Sequence, residues 1–274
     1  MKKPFFSVVI PALNEEKFLP NLLASLASQT DRNFEVIVVD GASKDKTVAV
    51  AERYKNKLPS LQVIVGAKAR LPLQRNIGAN AAHGEWYVFV DADTVLLPYC
   101  LARLYAYIKG TRVQLVTAWG KPDSEMVNES MHTLVYNMFL EAGLLFHRQL
   151  APGPFSLVYR EAFTLVGGYD ETLRFGEDQN LSQRLGDRGI KLVIVRETLY
   201  IWSQRRFRSF GFFRSSQIYL KAGLRTLFTK KNYRYVPGYI MGGHVYGKKQ
   251  AVIRRSILKK FENNLRTLLK EIFE

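Results

Sequence analysis

From Phe5 to Ala118 the chain repeats one pattern, a short β-branched or aromatic run followed by a stretch of helix length. The runs are FFSVVI (5–10), FEVIVV (34–39), LQVIV (61–65), WYVFV (86–90) and VQLVTA (113–118). Strands that alternate with helices pair in parallel across right-handed crossovers, so the pattern predicts a mostly parallel, doubly wound α/β sheet. The runs are apolar throughout, as strands covered on both faces must be. Between them, Phe18, Leu19, Leu22, Leu23 and Leu26 recur at helical spacing. Ser43 is placed to cap a helix running to about Lys57, and Pro98 and Gly110 bracket another holding Leu101, Leu104, Tyr105 and Ile108.

Ligands of such sheets bind beyond the carboxyl ends of the strands. Pro11-Ala12-Leu13-Asn14-Glu15 follows the first run, Asp40-Gly41-Ala42-Ser43 the second and Asp91-Ala92-Asp93 the fourth. Acidic groups at the end of an apolar strand are costly unless positive charge meets them. If strand geometry persists, Asp91 and Asp93 point the same way. That spacing suits one divalent cation, or else an acidic loop before Pro98.

Composition narrows the setting. At 47% hydrophobic over 274 residues, the chain supports one large domain, or one domain with an appendage, and excludes a mainly disordered protein. A single cysteine, Cys100, excludes an internal disulfide. The apolar run near the N-terminus is too short for a signal peptide, and nothing approaches the roughly 18 apolar residues of a membrane span. A cytoplasmic location is expected. The net charge of +16 is uneven: residues 201–274 hold 17 Lys or Arg against 3 acids, while residues 1–200 are nearly neutral. A segment so basic attracts phosphates, whether of lipid headgroups, nucleic acid or a diphosphate substrate. Its last part, QAVIRRSILKKFENNLRTLLKEIFE, reads as an amphipathic helix.

Four blocks occur in order: VVIPALNEE (Val8 to Glu16), VVDGASKDKT (Val38 to Thr47), QRNIGANAAHGEWYVFVDADT (Gln74 to Thr94) and VGGYDETLRFGEDQNLSQRLGDRG (Val166 to Gly189). Together they resemble the family 2 glycosyltransferases of GT-A fold, over about residues 5–205. The resemblance implies a Rossmann-like sandwich with a mostly parallel central sheet flanked by helices. The implied catalytic domain covers 1–205, with a donor half of about 1–120 and an acceptor half of about 121–205. A basic, mainly helical extension over 206–274 follows it.

The implied activity is inverting, non-processive transfer of a hexose-type sugar from a nucleotide-diphosphate donor to a hydroxyl or lipid-phosphate acceptor. Uridine donors are the commonest among such enzymes. The implied cofactor is a divalent metal, Mn or Mg, with Asp93 its principal ligand and Asp91 the ribose or metal contact on the donor, in the manner of a DXD motif. Pro11, Ala12 and Glu15 match the loop lining base and ribose, Asp40 the carboxylate that meets the base, and Arg75 a donor-contacting position. Ala79, Ala81 and Ala82 make the helix carrying Arg75 slim enough to lie close to the sheet. Glu177 and Asp178 match the family's ED pair. Asp178 is the implied base, kept ionised by the helix that Leu181 and Leu185 mark. Gly153, Gly168 and Tyr169 fall on the acceptor side, whose wall is the segment MFLEAGLLFHRQLAPGPF. Within it, His147 is the best-placed further metal ligand.

At WSQRRFRSFG the chain departs from the Q-x-x-R-W pattern of processive members and is similar to the S-x-R-R ending of small non-processive ones. Arg205 and Arg206 there suit a departing diphosphate, and equally a lipid phosphate. Two other functions fit less well. A sugar-nucleotide-forming nucleotidyltransferase would want a glycine- and arginine-rich loop where PALNEE stands. A nucleic-acid binder would use the tail's aromatics among arginines, without any recognisable module. For the tail the preferred expectation is peripheral docking on an anionic membrane surface, which would bring a lipid-linked acceptor. Packing on the catalytic domain, or on a second copy in a homodimer, is the competing one.

Overall fold

The computed structural model describes residues 3–210. The amphipathic helix and the docking tail expected beyond 210 lie outside the described residues. Within them the chain runs β1 (Phe6–Ala12), α1 (Leu19–Ala27), β2 (Phe34–Asp40), α2 (Thr47–Glu52), β3 (Leu61–Val65), α3 (Leu71–Ala81), β4 (Trp86–Val90) and β5 (Val95–Leu96). It continues through α4 (Cys100–Ile108), β6 (Leu115–Pro122), α5 (Val127–Leu145), β7 (Phe155–Tyr159), α6 (Arg160–Leu165), α7 (Glu177–Asp187), β8 (Leu192–Trp202) and α8 (Arg205–Phe210).

The strands form one sheet in the order β3-β2-β1-β4-β7-β6-β8-β5. Its first half, β3 to β4, is wholly parallel. In the second half β7 runs antiparallel to both β4 and β6, β6 and β8 are parallel, and β5 is antiparallel to β8. The parallel expectation therefore describes one half, and the other is mixed. The reversal at β7 matters for the site. Val90, the last residue of β4, pairs with Phe155, the first of β7, so Gly153 and Pro154 enter the rim where β4 ends.

Side chains alternate across the strands, and each face is covered. Val8 and Ile10 of β1 join a core with Leu19, Leu22, Leu23 and Leu26 of α1 and Leu101 and Leu104 of α4. Val9, between them, points to the other face, toward Ala79 of α3 and Leu181 and Leu185 of α7. The four leucines of α1 are fully buried, each stabilising the fold by roughly 1.5–3 kcal/mol. The close approach of α3 to the sheet rests on Gly78 more than on the alanines, since a Cβ there would lie 2.3 Å from Val9 Cγ1.

One helix differs from expectation. α2 ends at Glu52 and begins at Thr47, without Ser43 as its cap. The Ser43 hydroxyl instead donates to the Asp40 carboxylate and accepts from the Asn14 N–H at 2.7 Å. The loop after β2 is thereby fastened to the loop after β1, and serine's hydrogen-bonding capacity is used across strands instead of along a helix.

Candidate active site

Past the carboxyl ends of β1 and β4 lies a cavity of about 240 Å³, closed on its far side by the start of α7, by α5 and by α8. The loop after β1 supplies Pro11, Ala12, Leu13 and Glu15. Asn14 takes a left-handed conformation with φ 53°, which turns Glu15 inward. Glu15 is fixed from behind by its own N–H, which donates to Thr47 Oγ1 at 2.8 Å.

β4 stops at Val90, and the next residues form a turn in which the Thr94 N–H donates to the Asp91 carbonyl at 3.0 Å. Strand geometry does not persist through Asp91 and Asp93, yet both still line the cavity. The positive groups that meet them are two different guanidiniums. Arg75 of α3 donates to Asp91 Oδ1 at 2.9 Å, and Arg205 Nε lies 2.8 Å from Asp93 Oδ2. Burial raises both carboxylates' pKa values, while Arg75 and Arg205 respectively work against that rise.

Arg75 is the hinge pin of the site. Although only 1% exposed, it also donates to Glu177 Oε1 at 2.9 Å and to the Gly153 carbonyl at 3.1 Å, and it lies over the Tyr169 ring at 5.2 Å. One buried cation thus ties the acid after β4 to the acid heading α7. Tyr169 and Gly168 do not line the cavity; they support it from beneath. Gly168 adopts φ +71°, and the Tyr169 N–H next to it donates to Asn76 Oδ1 of α3 at 2.9 Å.

Gly176, also left-handed at φ 69°, starts α7 and swings Glu177 and Asp178 into the cavity. Asp178 accepts from the Gln179 N–H at 2.9 Å. The helix was expected to keep this carboxylate ionised; instead burial, reinforced by Glu177 alongside, pushes its pKa up to about 7. Gly153 stands close by, where a Cβ would come within 2.9 Å of Asp178 Oδ2, so only glycine leaves the carboxylate this position.

The segment after β8 completes the wall. Asp123, just beyond β6, accepts from Ser203 Oγ at 3.1 Å and from the Gln204 N–H at 2.9 Å, anchoring the start of α8. Arg205 then reaches across the cavity and grips Glu15 with two bonds of 2.7 Å. Burial still pushes Glu15 up to about 7 against that pairing. Arg206 lines the cavity beside it.

Asp40 lies apart from this group. It is buried at the end of β2, outside the cavity lining, and accepts from the Ser43 N–H at 2.9 Å as well as from the hydroxyl. His147 is exposed in a left-handed turn after α5 and does not line the cavity, whereas His132 of α5 does. His132 and Tyr136, one turn apart on α5, form with Trp202 and Phe207 an aromatic wall that motif reasoning passed over. The His132 ring is 4.1 Å from Phe207, and Tyr136 is 5.3 Å from Trp202. Their i, i+4 spacing was the available signal, but nothing in it says which face of α5 meets the cavity.

Five carboxylates line the cavity, Glu15, Asp91, Asp93, Glu177 and Asp178, against three guanidiniums. Fully ionised, the set lacks two positive charges. Asp91 and Asp93 remain 31% and 17% exposed, so both stay open to the cavity. Among the described residues no three His, Cys, Asp or Glu side chains gather as a closed metal cage. An open pair of hard carboxylate ligands fits Mn²⁺ or Mg²⁺, which keeps positions for substrate phosphates. Among the described residues, too, no helix is long and apolar enough to cross a membrane.

A parallel half-sheet ending in a two-carboxylate turn, faced across one cleft by an acidic pair at a helix start, is the layout of a GT-A glycosyltransferase fold. The sequence model of glycosyl transferase family 2 matches residues 7–167, and the chain belongs to that family. It is 28% identical over 184 residues to an uncharacterized glycosyltransferase of Haemophilus influenzae, covering 65% of this chain and 61% of that protein. It is also 28% identical over 216 residues to the poly(ribitol-phosphate) beta-N-acetylglucosaminyltransferase TarS of Staphylococcus aureus, covering 73% of this chain and 36% of that one. The chain therefore spans less than two thirds of either relative.

The structure of TarS 1–349 in complex with UDP-GlcNAc superposes with a TM-score of 0.61 at 26% identity, over 73% of this chain and 58% of that one. The mannosyltransferase PcManGT from Pyrobaculum calidifontis, in complex with GDP-Man and Mn²⁺, gives 0.65 over 84% of this chain and 64% of that one. At 20% identity the latter likeness concerns the fold.

Proposed function

We propose that the protein transfers a sugar from a nucleotide-diphosphate donor to an acceptor hydroxyl or lipid phosphate, in one inverting displacement with Asp178 as base. The observation that carries this reading is the excess of carboxylates over guanidiniums in a cavity lined by Asp91, Asp93, Glu177 and Asp178. Asp91 and Asp93 would hold the divalent ion, Mn²⁺ or Mg²⁺, which when bound offsets the charge of the departing diphosphate. The chain's own residues do the rest. Pro11, Ala12 and Glu15 line the nucleoside side, and a base reaching for Asp40 competes with Ser43 for its carboxylate. Arg205 and Arg206 offer forked donors to the leaving phosphates, Arg205 by exchanging its grip on Glu15 and Asp93.

A pKa of about 7 suits Asp178 to take the acceptor's hydroxyl proton near neutrality. As that proton leaves, the oxygen bonds to the anomeric carbon and the bond to the diphosphate breaks on the opposite face, giving inversion. Arg75 is a positioning residue that holds Glu177 beside the base and Asp91 beside the donor. The relatives' names support a nucleotide-sugar donor, and a uridine diphosphate sugar is the first to try. A peripheral place on an anionic membrane surface and a lipid-linked acceptor belong to the same proposal, motivated by the 17 basic residues against 3 acidic ones over 201–274.

A thermal-shift panel of nucleoside diphosphates, with and without Mn²⁺, tests the donor side, because a ligand of the native state raises its melting temperature. One base should give a metal-dependent shift that Asp93→Asn abolishes. A shift equal in both proteins would remove the metal from the reading.

A further inference from the structure

Helix α5 is built inside out. Its buried side carries Glu129, Thr133, Asn137, Leu140 and Gly143. The Asn137 amide donates to the Gly120 carbonyl of β6 at 3.1 Å, and Trp119 Nε1 of β6 donates to Glu141 Oε1 at 3.3 Å. The side turned to solvent carries Val127, Met131, Leu134, Val135, Met138 and Leu145, each between 47% and 81% exposed. Their spacing puts them on one face. Water would select the reverse arrangement on a surface helix. Phe146, 59% exposed, follows at the carboxyl end of α5, and Val65, Tyr99, Tyr107 and Leu165 lie on other parts of the chain.

We propose that the outer face of α5 is a membrane contact, its side chains entering the headgroup region of an anionic bilayer. Charge and chain direction select this occupant. The described chain ends in α8, which is fastened to α5 by the Phe207 ring against His132 and by Arg208, 3.9 Å from Glu129. The strongly basic stretch over 201–274 thus starts at the helix that bears the apolar face, on its inner side. Apolar side chains flanked by cations suit an anionic lipid surface. A second copy of this chain would set like charges against each other. His132 and Tyr136 line the cavity from the opposite side of the same helix, so the thickness of α5 separates the aromatic wall from a bilayer on the outer face. The proposal does not depend on which carboxylate acts in catalysis.

The test uses the full chain, with sedimentation onto phosphatidylcholine vesicles with and without phosphatidylglycerol. The protein should bind the anionic vesicles. The triple substitution Met131→Glu, Val135→Glu and Met138→Glu should weaken that binding by about tenfold or more. Val65→Glu, an exposed site elsewhere, should leave it unchanged. Nucleotide thermal shifts should be the same in all three proteins, which separates a failure here from a failure of the transferase reading. In a third variant, Met131→Trp, the indole should emit as exposed in buffer and shift to the blue on anionic vesicles. Equal vesicle affinity in the triple variant overturns the proposal, as does no binding by the parent protein. So does an indole already shielded in buffer, which would mean that the tail covers the face, or a dimer that the triple variant dissolves.

Discussion

On one side of the sheet, β3, β2, β1 and β4 run parallel and finish at a common rim, so each strand delivers its polar residues to the same edge. On the other side, β7 reverses against β4 and β6 and β5 reverses against β8, and the site residues arrive from a loop before β7, a helix start and a segment after β8. The two sides meet at Arg75, whose guanidinium bonds Asp91 on the first and Glu177 and Gly153 on the second. Regular strands place groups by repetition, whereas irregular segments place them only where individual contacts force a particular course. The donor side should therefore tolerate disturbance of its acids as a loss of binding, and the acceptor side as a loss of chemistry.

The sharpest division is expected at Asp178. Asp178→Asn should lower kcat by about 10²–10⁴-fold, the usual range for a lost general base. Calorimetric titration should return an unchanged donor affinity. Retained turnover would transfer the base to Glu177 and break the contrast between the sides. Next comes the joint itself: Arg75→Ala leaves Asp91 and Glu177 without their buried partner and should cost about 3–5 kcal/mol in urea unfolding. A loss under about 1 kcal/mol would show that the two sides hold without it.

Within the donor side, Gly78→Ala drives a methyl group against Val9 and should destabilise by about 1–3 kcal/mol. The kcat of the folded fraction should be unaffected, since the strain falls on packing and not on the rim. The last effect concerns protons. In the folded protein Asp178 has its pKa raised to about 7, so it binds a proton more tightly than in the unfolded chain, and stability is lost as pH rises through that value. Asp178→Asn removes this penalty. Its melting temperature should exceed the parent's at pH 8 and match it near pH 4. An equal difference at both values would place the cause in packing.

Much of the parallel side was legible in the sequence, because its signals are local. WYVFV is a strand wherever it is buried on both faces, and the residue after it must stand at the rim, so Asp91 and Asp93 could be found without coordinates. Leu19, Leu22, Leu23 and Leu26 announced α1 in the same way. Ser43 was misjudged as a cap because its partners, Asp40 and Asn14, sit on two different strand ends. Gly78 drew less attention than the neighbouring alanines because closeness to Val9 is a property of two elements at once. His132 and Tyr136 went unnoticed for a related reason: α5 has apolar residues on its exposed side and polar ones inside, which inverts the ordinary cue to orientation.

By itself, then, the sequence determined the alternation of strands and helices, the family and the acids at the strand ends, all of which follow from short-range periodicity and contiguous motifs. Tertiary structure alone decided that Arg75 and Arg205 are the cations meeting those acids, and that Asp178 titrates near neutrality beside Glu177. It also decided that α5 turns its apolar side outward. Such features depend on charges and surfaces brought together from distant positions, where burial amplifies electrostatics, and no local pattern encodes that proximity.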